Sequence, residues 1–183
     1  MQKTPNAALS RLSVEEFKNA EKTPFIIVLD NVRSLNNIGS VFRTADAFLL
    51  RGICLCGITA KPPHRDIEKT AIGATESVYW EYFDNTVDAV QKLKNLGYKI
   101  IAVEQTNKSI QLNEFETEKD EKLAFIFGHE VMGVSDEVLA FCDHCVEIPQ
   151  FGTKHSLNIA VSVGVVVWDV CSKRMKVNKM IDQ

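Results

Sequence analysis

Residues 148–158 have the sequence IPQFGTKHSLN and join a strand-like segment to a long apolar segment. Pro149 and Gly152 interrupt regular structure, and Ser156 and Asn158 follow where a helix is expected to begin. The first turn of a helix exposes backbone N–H groups, which bind anionic or polar ligands together with short polar side chains. This stretch therefore predicts a ligand-binding loop that leads into the last helix of the chain.

The apolar segment at 159–168 is rich in valine and isoleucine, a composition that by itself favours a strand. Apolar side chains also recur at helical spacing, and the cap residues before them favour a helix. These side chains are Leu157, Val161, Val165, Trp168 and Cys171. We predict a helix, and since nearly all its faces are apolar, we expect it to be buried, in part against a second subunit.

Elsewhere in the chain, short β-branched segments alternate with amphipathic ones. Strands are predicted at residues 25–29, 53–58, 78–83, 99–103, 123–127 and 145–148. Helices are predicted at 13–17, from 37 onward with Asn37 as its cap, at 87–96 and at 135–141, and a basic loop at 61–69. This alternation is typical of an α/β fold, here a mostly parallel sheet flanked by helices on both faces.

Length and composition favour one domain that spans residues 1–183, with 1–24 as a helical extension. The formal net charge is −3, so contact with a nucleic acid requires a local basic patch. No apolar run is long enough to cross a bilayer, and no apolar signal core follows the N-terminus. These features predict a cytoplasmic protein that has no contact with a membrane.

The five cysteines do not predict a disulfide framework, since their number is odd and their spacing irregular. Cys142 and Cys145 enclose His144 and could begin a zinc site, but structural zinc needs four convergent ligands. Cys54 and Cys56 alternate along a predicted strand and need not face the same way. We therefore favour free thiols and expect no bound metal.

A second polar segment, NNIGSVFRTAD at 36–46, opens the helix that follows the first strand. Asn37 is a good helix cap, and Arg43 follows it by six residues. Arg43 is either an ordinary surface arginine or a cation that binds a phosphate near the start of the helix. The residues of this segment alone leave both interpretations open.

The third segment, FGHEVMGVS at 127–135, directly follows a predicted strand. Gly128 and Gly133 allow a tight turn, and Glu130 lies where open α/β sheets bind ligands. His129 is either a base or metal ligand, or a hydrogen-bonded loop residue. The usual dinucleotide and P-loop fingerprints do not occur in the sequence.

Taken together, these three segments resemble the three motifs of the SpoU (TrmH-like) family, the RNA ribose 2′-O-methyltransferases of the SPOUT class. The resemblance covers about residues 25–168, the IPxxGxxxSLN pattern is its most specific part, and the KTAIGA sequence at 69–74 resembles a further family segment. Two departures are visible, since leucines at 49–50 replace a frequent glycine and His129 replaces a commoner Asn or Ser.

The resemblance implies a parallel α/β sheet with a C-terminal trefoil knot and a homodimer that packs through the last helix. It also implies S-adenosylmethionine as the cofactor, and no separate N-terminal RNA-binding domain is expected. The implied catalytic residues are Arg43, Asn37, Glu130, Ser156 and Asn158. The implied cofactor contacts are Glu104, Gln105, Thr106, Gly128, Ile148, Ser156 and Leu157.

RNA is the expected partner, with tRNA favoured over rRNA, and exposed cations are expected to bind its phosphates. These cations are Arg33, Arg51, Lys61, Arg65, Lys69 and Lys154. Two alternatives stay open, namely an RNA-binding or assembly module that retains the fold without catalysis, and a SPOUT enzyme that methylates a base. The role of Arg43, as a base or as a clamp on the substrate phosphate, also stays open at this stage.

Overall fold

Seven parallel strands form the central sheet of the computed structural model, which describes residues 1–5, 8 and 11–181. The strands are β1 (Thr23–Asp30), β2 (Leu50–Cys56), β3 (Trp80–Phe83), β4 (Lys99–Val103), β5 (Ile110–Gln111), β6 (Leu123–Phe127) and β7 (His144–Glu147). They lie in the order β3-β2-β1-β6-β4-β7-β5, and each neighbouring pair is parallel. The predicted α/β fold with a mostly parallel sheet is confirmed.

Helices cover both faces of this sheet. They are α1 (Val14–Asn19), α2 (Leu35–Ala47), α3 (Arg65–Ala71), α4 (Ala74–Ser77), α5 (Thr86–Asn95), α6 (Asp136–Leu139) and α7 (Ile159–Ile181). A short 3-10 turn covers Leu112–Glu114. The predicted extension at 1–24 contains α1, which Ser13 caps, whereas residues 6, 7, 9 and 10 lie outside the described part of the chain.

The core has one layer on each face of the sheet because successive residues of a strand point to opposite sides. In β1, Ile27 and Leu29 pack in the layer beneath α2, α3 and α7, and Val28 packs in the layer beneath α5 and α6. Full burial of each such side chain contributes about 1.5–3 kcal/mol of hydrophobic free energy. This two-sided burial explains why the central strands are continuous apolar runs.

The order of the strands reverses between β1 and β6. The chain leaves β1 towards β2 on one side, and it leaves β6 towards β7 on the other. Such a reversal opens a crevice at the carboxyl ends of the strands, where open α/β sheets bind ligands. The loops that follow β1, β4, β6 and β7 all lie at this carboxyl edge.

Several predicted boundaries were wrong. Helix α2 begins at Leu35 with Ser34 as its cap, so Asn37 lies inside the first turn and does not cap the helix. The predicted basic loop at 61–69 contains the start of α3, which His64 caps through its side chain. The two-residue strand β5 was not predicted, because a segment so short has no periodicity to detect.

Helix α7 confirms the helical prediction for 159–168 and continues to Ile181. Val163, Val166 and Val167 are fully buried, whereas Val161 and Trp168 remain about half exposed. The expectation of burial is therefore met on one face of α7 only. The implied trefoil knot stays a prediction.

Candidate functional site

A cavity of about 550 Å³ lies at the carboxyl edge of the sheet, between the loops that follow β4, β6 and β7. Eight of the residues assigned to the site from the sequence line it. They are Glu104, Gln105, Gly128, Glu130, Ile148, Ser156, Leu157 and Asn158. The cavity has the size of a small-molecule site, and its lining combines apolar side chains with a larger number of polar ones.

The loop after β6 folds back on itself through paired backbone hydrogen bonds between His129 and Gly133. A side chain at Gly128 would overlap the backbone of Gly133 and Val134, and Gly133 has a φ of +68°. Both positions therefore require glycine, one for close approach and one for conformation.

Two side chains hold this loop in place. The Glu104 carboxylate accepts hydrogen bonds from the backbone N–H groups of Gln105 (2.8 Å) and Val134 (3.1 Å). The Nδ1 atom of His129 accepts from the backbone N–H groups of Val131 (3.0 Å) and Met132 (3.2 Å). His129 is therefore a hydrogen-bonded loop residue, the second of its two interpretations from sequence.

Replacing Gly128 with alanine is expected to lower the free energy of unfolding by about 1–3 kcal/mol, because the added methyl group forces the tight loop apart. Gly152 provides a matched control in the neighbouring loop, since a Cβ there has nothing within 4 Å. Denaturant unfolding of Gly128→Ala and Gly152→Ala measures the difference. Equal stability of the two variants would show that the close approach at Gly128 is not required.

A chain of hydrogen bonds joins the three polar segments identified from sequence at the mouth of the cavity. Asn158 accepts from the backbone N–H of Ala160 (2.9 Å) and donates from Nδ2 to Oδ1 of Asn37 (3.1 Å). Asn37 in turn donates from Nδ2 to Oε1 of Glu130 (3.4 Å). Since a carboxylate only accepts, this chain fixes the orientation of both amides, and the second N–H of each makes no hydrogen bond to the residues that the structure describes.

Glu130 also anchors the start of α2. Its carboxylate accepts from the backbone N–H of Arg33 (3.1 Å), just before the helix, and from that of the cap residue Ser34 (2.9 Å), which has no acceptor within the helix. Desolvation raises the pKa of Glu130, but the hydrogen bonds from Arg33, Ser34 and Asn37 outweigh it and leave the pKa below its ordinary value of 4.5. Glu130 therefore remains ionised and serves as an anchor.

This lowered pKa predicts a pH-dependent contribution to stability. The ionised Glu130 stabilises the fold above its unfolded pKa, and the contribution is lost as the pH falls through the lower folded pKa. We expect the melting temperature of the parent protein to exceed that of Glu130→Gln at about pH 7 and the gap to narrow at about pH 3. Thermal unfolding of both proteins between these pH values tests the prediction. A difference in melting temperature that stays constant with pH would contradict it.

Arg43 does not line this cavity. It lies on a different face of α2 from Asn37, because six residues rotate a helix by about 600°, or 120° of net separation. Its exposed side chain lines a second cavity of about 500 Å³ between α2 and α3, together with Lys69 and Thr70, and Gly164 of α7 also lines it. The structure thus brings Arg43 together with Lys69.

The predicted cofactor residue Thr106 also lies outside the cavity lining; its Oγ1 accepts from the backbone N–H of Lys108 at 3.2 Å. Gln105 lies inside it and donates from Nε2 to the backbone carbonyl of His155 at 2.7 Å, which joins the loops after β4 and β7. Sequence reasoning missed Gln150 and Ser162, which also line the cavity. Ser162 interrupts the apolar segment one turn after Asn158, a signal that was available from the sequence.

Asp30 is a further residue that sequence reasoning missed. It ends β1 and is buried, with Thr86 Oγ1 donating to its carboxylate at 2.5 Å and the backbone N–H of Ser135 at 3.2 Å. Asp30 therefore joins α5 to the loop that follows β6. The strand predicted at 25–29 ends just before it, and a single aspartate after a strand carries no signal of burial.

The basic residues assigned to RNA binding lie in different parts of the structure. Arg33 and Lys154 lie in loops at the carboxyl edge, and Arg65 and Lys69 lie one turn apart on α3. Lys61 packs with Nζ 4.0 Å from the centre of the Tyr82 ring. Arg51 is different, because it stands near the start of β2, at the opposite edge of the sheet. Its placement does not support the expected contact with the same RNA segment.

All five cysteines are free thiols. Burial raises the pKa of Cys54 and of Cys142 to about 12, so both remain protonated near neutral pH. Within the described ranges, no three His, Cys, Asp or Glu side chains converge as metal ligands would. Helices in the same ranges include none that is both long and apolar enough to cross a membrane.

The fold and the cavity define a class of protein: a parallel α/β protein with a ligand site built from loops at the carboxyl edge of its strands. The model of the SpoU rRNA Methylase family matches residues 24–168, most of the chain. The chain belongs to this family, which confirms the resemblance inferred from the three motifs.

Two known proteins are similar to the chain in sequence over most of its length. The chain is 26% identical over 177 residues to the 23S rRNA (guanosine-2′-O-)-methyltransferase RlmB of Neisseria meningitidis serogroup B, covering 96% of this chain and 70% of that protein. It is 27% identical over 161 residues to the tRNA (guanosine(18)-2′-O)-methyltransferase of Aquifex aeolicus, covering 88% and 75%.

A solved structure shares the fold. The SpoU methyltransferase AviRb from Streptomyces viridochromogenes, in complex with AdoMet, matches with a TM-score of 0.76 at 21% identity. The match covers 87% of this chain and 64% of that one. The chain therefore spans only part of the length of each of these relatives.

Proposed function

We propose that the protein transfers a methyl group from S-adenosylmethionine to a ribose 2′-hydroxyl of RNA. The observation that carries this proposal is the hydrogen-bond chain from Asn158 through Asn37 to Glu130, which joins all three motif segments beside one cavity. The two relatives named as 2′-O-methyltransferases support it. A module without catalysis would need neither the cavity nor the oriented amides.

The residues of the cavity fit S-adenosylmethionine, the ligand in the AviRb complex. Ile148 and Leu157 supply apolar surface for an adenine ring, and the turn at Gly128 lets backbone groups approach a ligand closely. Glu104 and Gln105 supply polar groups in the same lining. When bound, the cofactor supplies an electrophilic methyl group, and the residues of this chain orient the acceptor towards it.

Alignment of the acceptor oxygen is the task we assign to the amides of Asn37 and Asn158. Each has one N–H fixed by the hydrogen-bond chain and one that can donate to the substrate ribose or phosphate. Holding reactants in line can contribute several kcal/mol to catalysis, about 7–11 in the best cases. Ser156, which lines the same cavity, is assigned to the substrate phosphate. Glu130 acts by holding Asn37.

Arg43 is assigned as a phosphate clamp. An arginine keeps its charge because its pKa lies above ~12, so a role as base requires exceptional surroundings. The exposed side chain of Arg43 lies in a cleft beside Lys69, and two cations that face one cleft favour an anion there. The clamp would hold the RNA backbone in place so that the acceptor oxygen faces the methyl group that the bound cofactor would supply, and the hydroxyl proton would pass to solvent.

A homodimer through α7 forms part of the proposal. Val161, Val165, Trp168 and Met175 recur along one side of α7 and stay exposed. Exposed apolar stripes of this kind mark protein interfaces. Gly164 of the same helix lines the Arg43 cleft, so this cleft lies at the border of the proposed interface. The proposed compartment is the cytoplasm, where thiols such as these five stay reduced.

RNA binding is expected to weaken steeply with salt, with a log–log slope of about −3 to −5 for four to six phosphate contacts. Lys69→Gln should reduce this slope by about one unit, since it removes one contact. Arg51→Gln is the matched control at the opposite edge of the sheet and should leave the slope unchanged. Filter binding of unfractionated tRNA across salt concentrations measures the slopes of the parent protein and of both variants. An affinity independent of salt would contradict the proposed surface.

The test of the function is incubation of the protein with total RNA and methyl-labelled S-adenosylmethionine, followed by mapping of ribose methylation. We expect label at a ribose of a structured RNA, with tRNA favoured over rRNA; the A. aeolicus relative is named for tRNA and the N. meningitidis relative for 23S rRNA. Label on a base would indicate the base-methylating alternative. Calorimetry that detects no cofactor binding would leave only the non-catalytic module.

A further inference from the structure

Among residues 1–5, 8 and 11–175, the most exposed large apolar side chains apart from Met1 lie in the two loops that border the cavity. Phe151 is 98% exposed in the loop after β7, and Val131 and Met132 are 80% and 79% exposed in the loop after β6. Both loops line the cavity, through Gln150 and Val131 respectively. Their position beside one cavity calls for an explanation, because folded proteins rarely leave such groups in water without a function.

We propose that Phe151 is a stacking platform for an unpaired nucleobase next to the acceptor ribose. The proposal rests on the proposed function, because it takes the cavity beside Phe151 as the site of methyl transfer. An acceptor ribose at that site carries its base within reach of the cavity mouth. Proteins that bind unpaired RNA stack its bases on exposed aromatic rings.

The surroundings of Phe151 favour a nucleobase as the occupant. Lys154 follows three residues later in the same loop and is also exposed, so a cation for the adjoining phosphate accompanies the ring. Val131 and Met132 add exposed apolar surface in the loop on the other side of the same cavity, and such surface suits the face of a base. An aromatic ring flanked by a cation and by a cavity with oriented amides is a combination suited to a nucleotide.

The exposed stripe of α7 already provides a surface for a second copy of the chain. That stripe starts at Val161, within the helix, whereas Phe151 lies in the preceding loop. The two surfaces therefore have different assignments: the stripe pairs with a second copy, and Phe151 contacts RNA. If Phe151 instead closed over the cofactor, its removal would weaken cofactor binding, which separates that role from stacking.

The test compares Phe151→Ala, Phe151→Leu and Phe151→Tyr in the full chain, with methyl transfer to unfractionated tRNA as the assay. Loss of one stacked base corresponds to about ten- to hundredfold in kcat/KM for RNA. We expect that loss in the Ala and Leu variants, whereas Tyr, which keeps the aromatic face, stays within about threefold of the parent. Tyr79→Ala, which removes another exposed aromatic ring just before β3, is the matched control and should change nothing.

Two further measurements complete the test. Calorimetry should show the same affinity for S-adenosylmethionine in all variants, and sedimentation should show the same oligomeric state. A change in either quantity overturns the proposal. A Phe151→Leu variant that is as active as the parent also overturns it. If the parent protein transfers no methyl group to tRNA, the proposed function fails on that substrate. Filter binding of tRNA by the Ala and Tyr variants then decides the stacking role, and equal affinities overturn it.

Discussion

Replacing Arg43 with alanine is expected to reduce RNA methylation by about a hundredfold or more, because the clamp on the substrate phosphate that positions the acceptor ribose is lost. The affinity for S-adenosylmethionine should stay nearly unchanged, because Arg43 lines the second cavity and not the one assigned to the cofactor. The fold should also persist, since the side chain is exposed. Rates of methyl transfer, calorimetry and thermal unfolding measure the three quantities.

Two variants make this result specific. Arg51→Ala removes an exposed arginine from the opposite edge of the sheet and should leave activity intact. Arg43→Lys keeps the charge but loses the planar fork that binds a phosphate through two hydrogen bonds, so it should restore activity only in part. An active Arg43→Ala protein would remove this residue from the mechanism. Loss of affinity for S-adenosylmethionine in the same variant would show that Arg43 contributes to the cavity assigned to the cofactor.

The second large effect is expected from Asn37→Asp, with a loss of methylation of about a hundredfold. This change conserves shape but places a carboxylate opposite the Glu130 carboxylate, where an amide N–H now donates across 3.4 Å. The two like charges repel, and the donor that we assign to the substrate is lost together with the fixed orientation. Rates of methyl transfer and thermal unfolding of the variant measure these effects.

Asn36→Asp is the matched control, because Asn36 is the exposed neighbour of Asn37 in the same first turn of α2. An acid there suits the start of a helix, so stability and activity should hold or improve slightly. Combining Asn37→Asp with Glu130→Gln removes one of the two charges and should recover part of the lost stability. If Asn36→Asp and Asn37→Asp behave alike, the hydrogen bond to Glu130 has no role.

Local sequence patterns predicted the strands and helices correctly wherever the pattern was long enough. Strands β4 and β6 were predicted with their observed bounds, because both are apolar runs with polar or loop residues on either side. The start of α2 was predicted wrongly, at Asn37, because the sequence SLNN at 34–37 offers more than one residue that caps helices well. In the structure the Ser34 hydroxyl is the cap, because it accepts from the backbone N–H of Asn37 at 3.3 Å, and Glu130 holds Ser34 there by accepting from its backbone N–H.

The site could be predicted in part. The motif segments located six residues that line one cavity and the family resemblance added Glu104 and Gln105, but the motifs also grouped Arg43 with Asn37 as if the two faced the same space. Helical rotation separates these side chains. The sequence contains that rotation, but it does not contain the positions of α3 and α7, which determine what each face of α2 meets.

By itself, the sequence determined the alternation of strands and helices, the loop at 148–158 that leads into α7, and the family. These depend on residues close together in the chain, where apolar periodicity and turn-forming residues act directly. Only the tertiary structure decided the strand order, the role of Glu130 as an anchor and the separate cleft of Arg43. The contacts responsible join residues 96 positions apart, at Ser34 and Glu130, and 121 apart, at Asn37 and Asn158. Hydrogen bonds over such separations leave no local pattern, because the intervening chain must fold before the two groups meet.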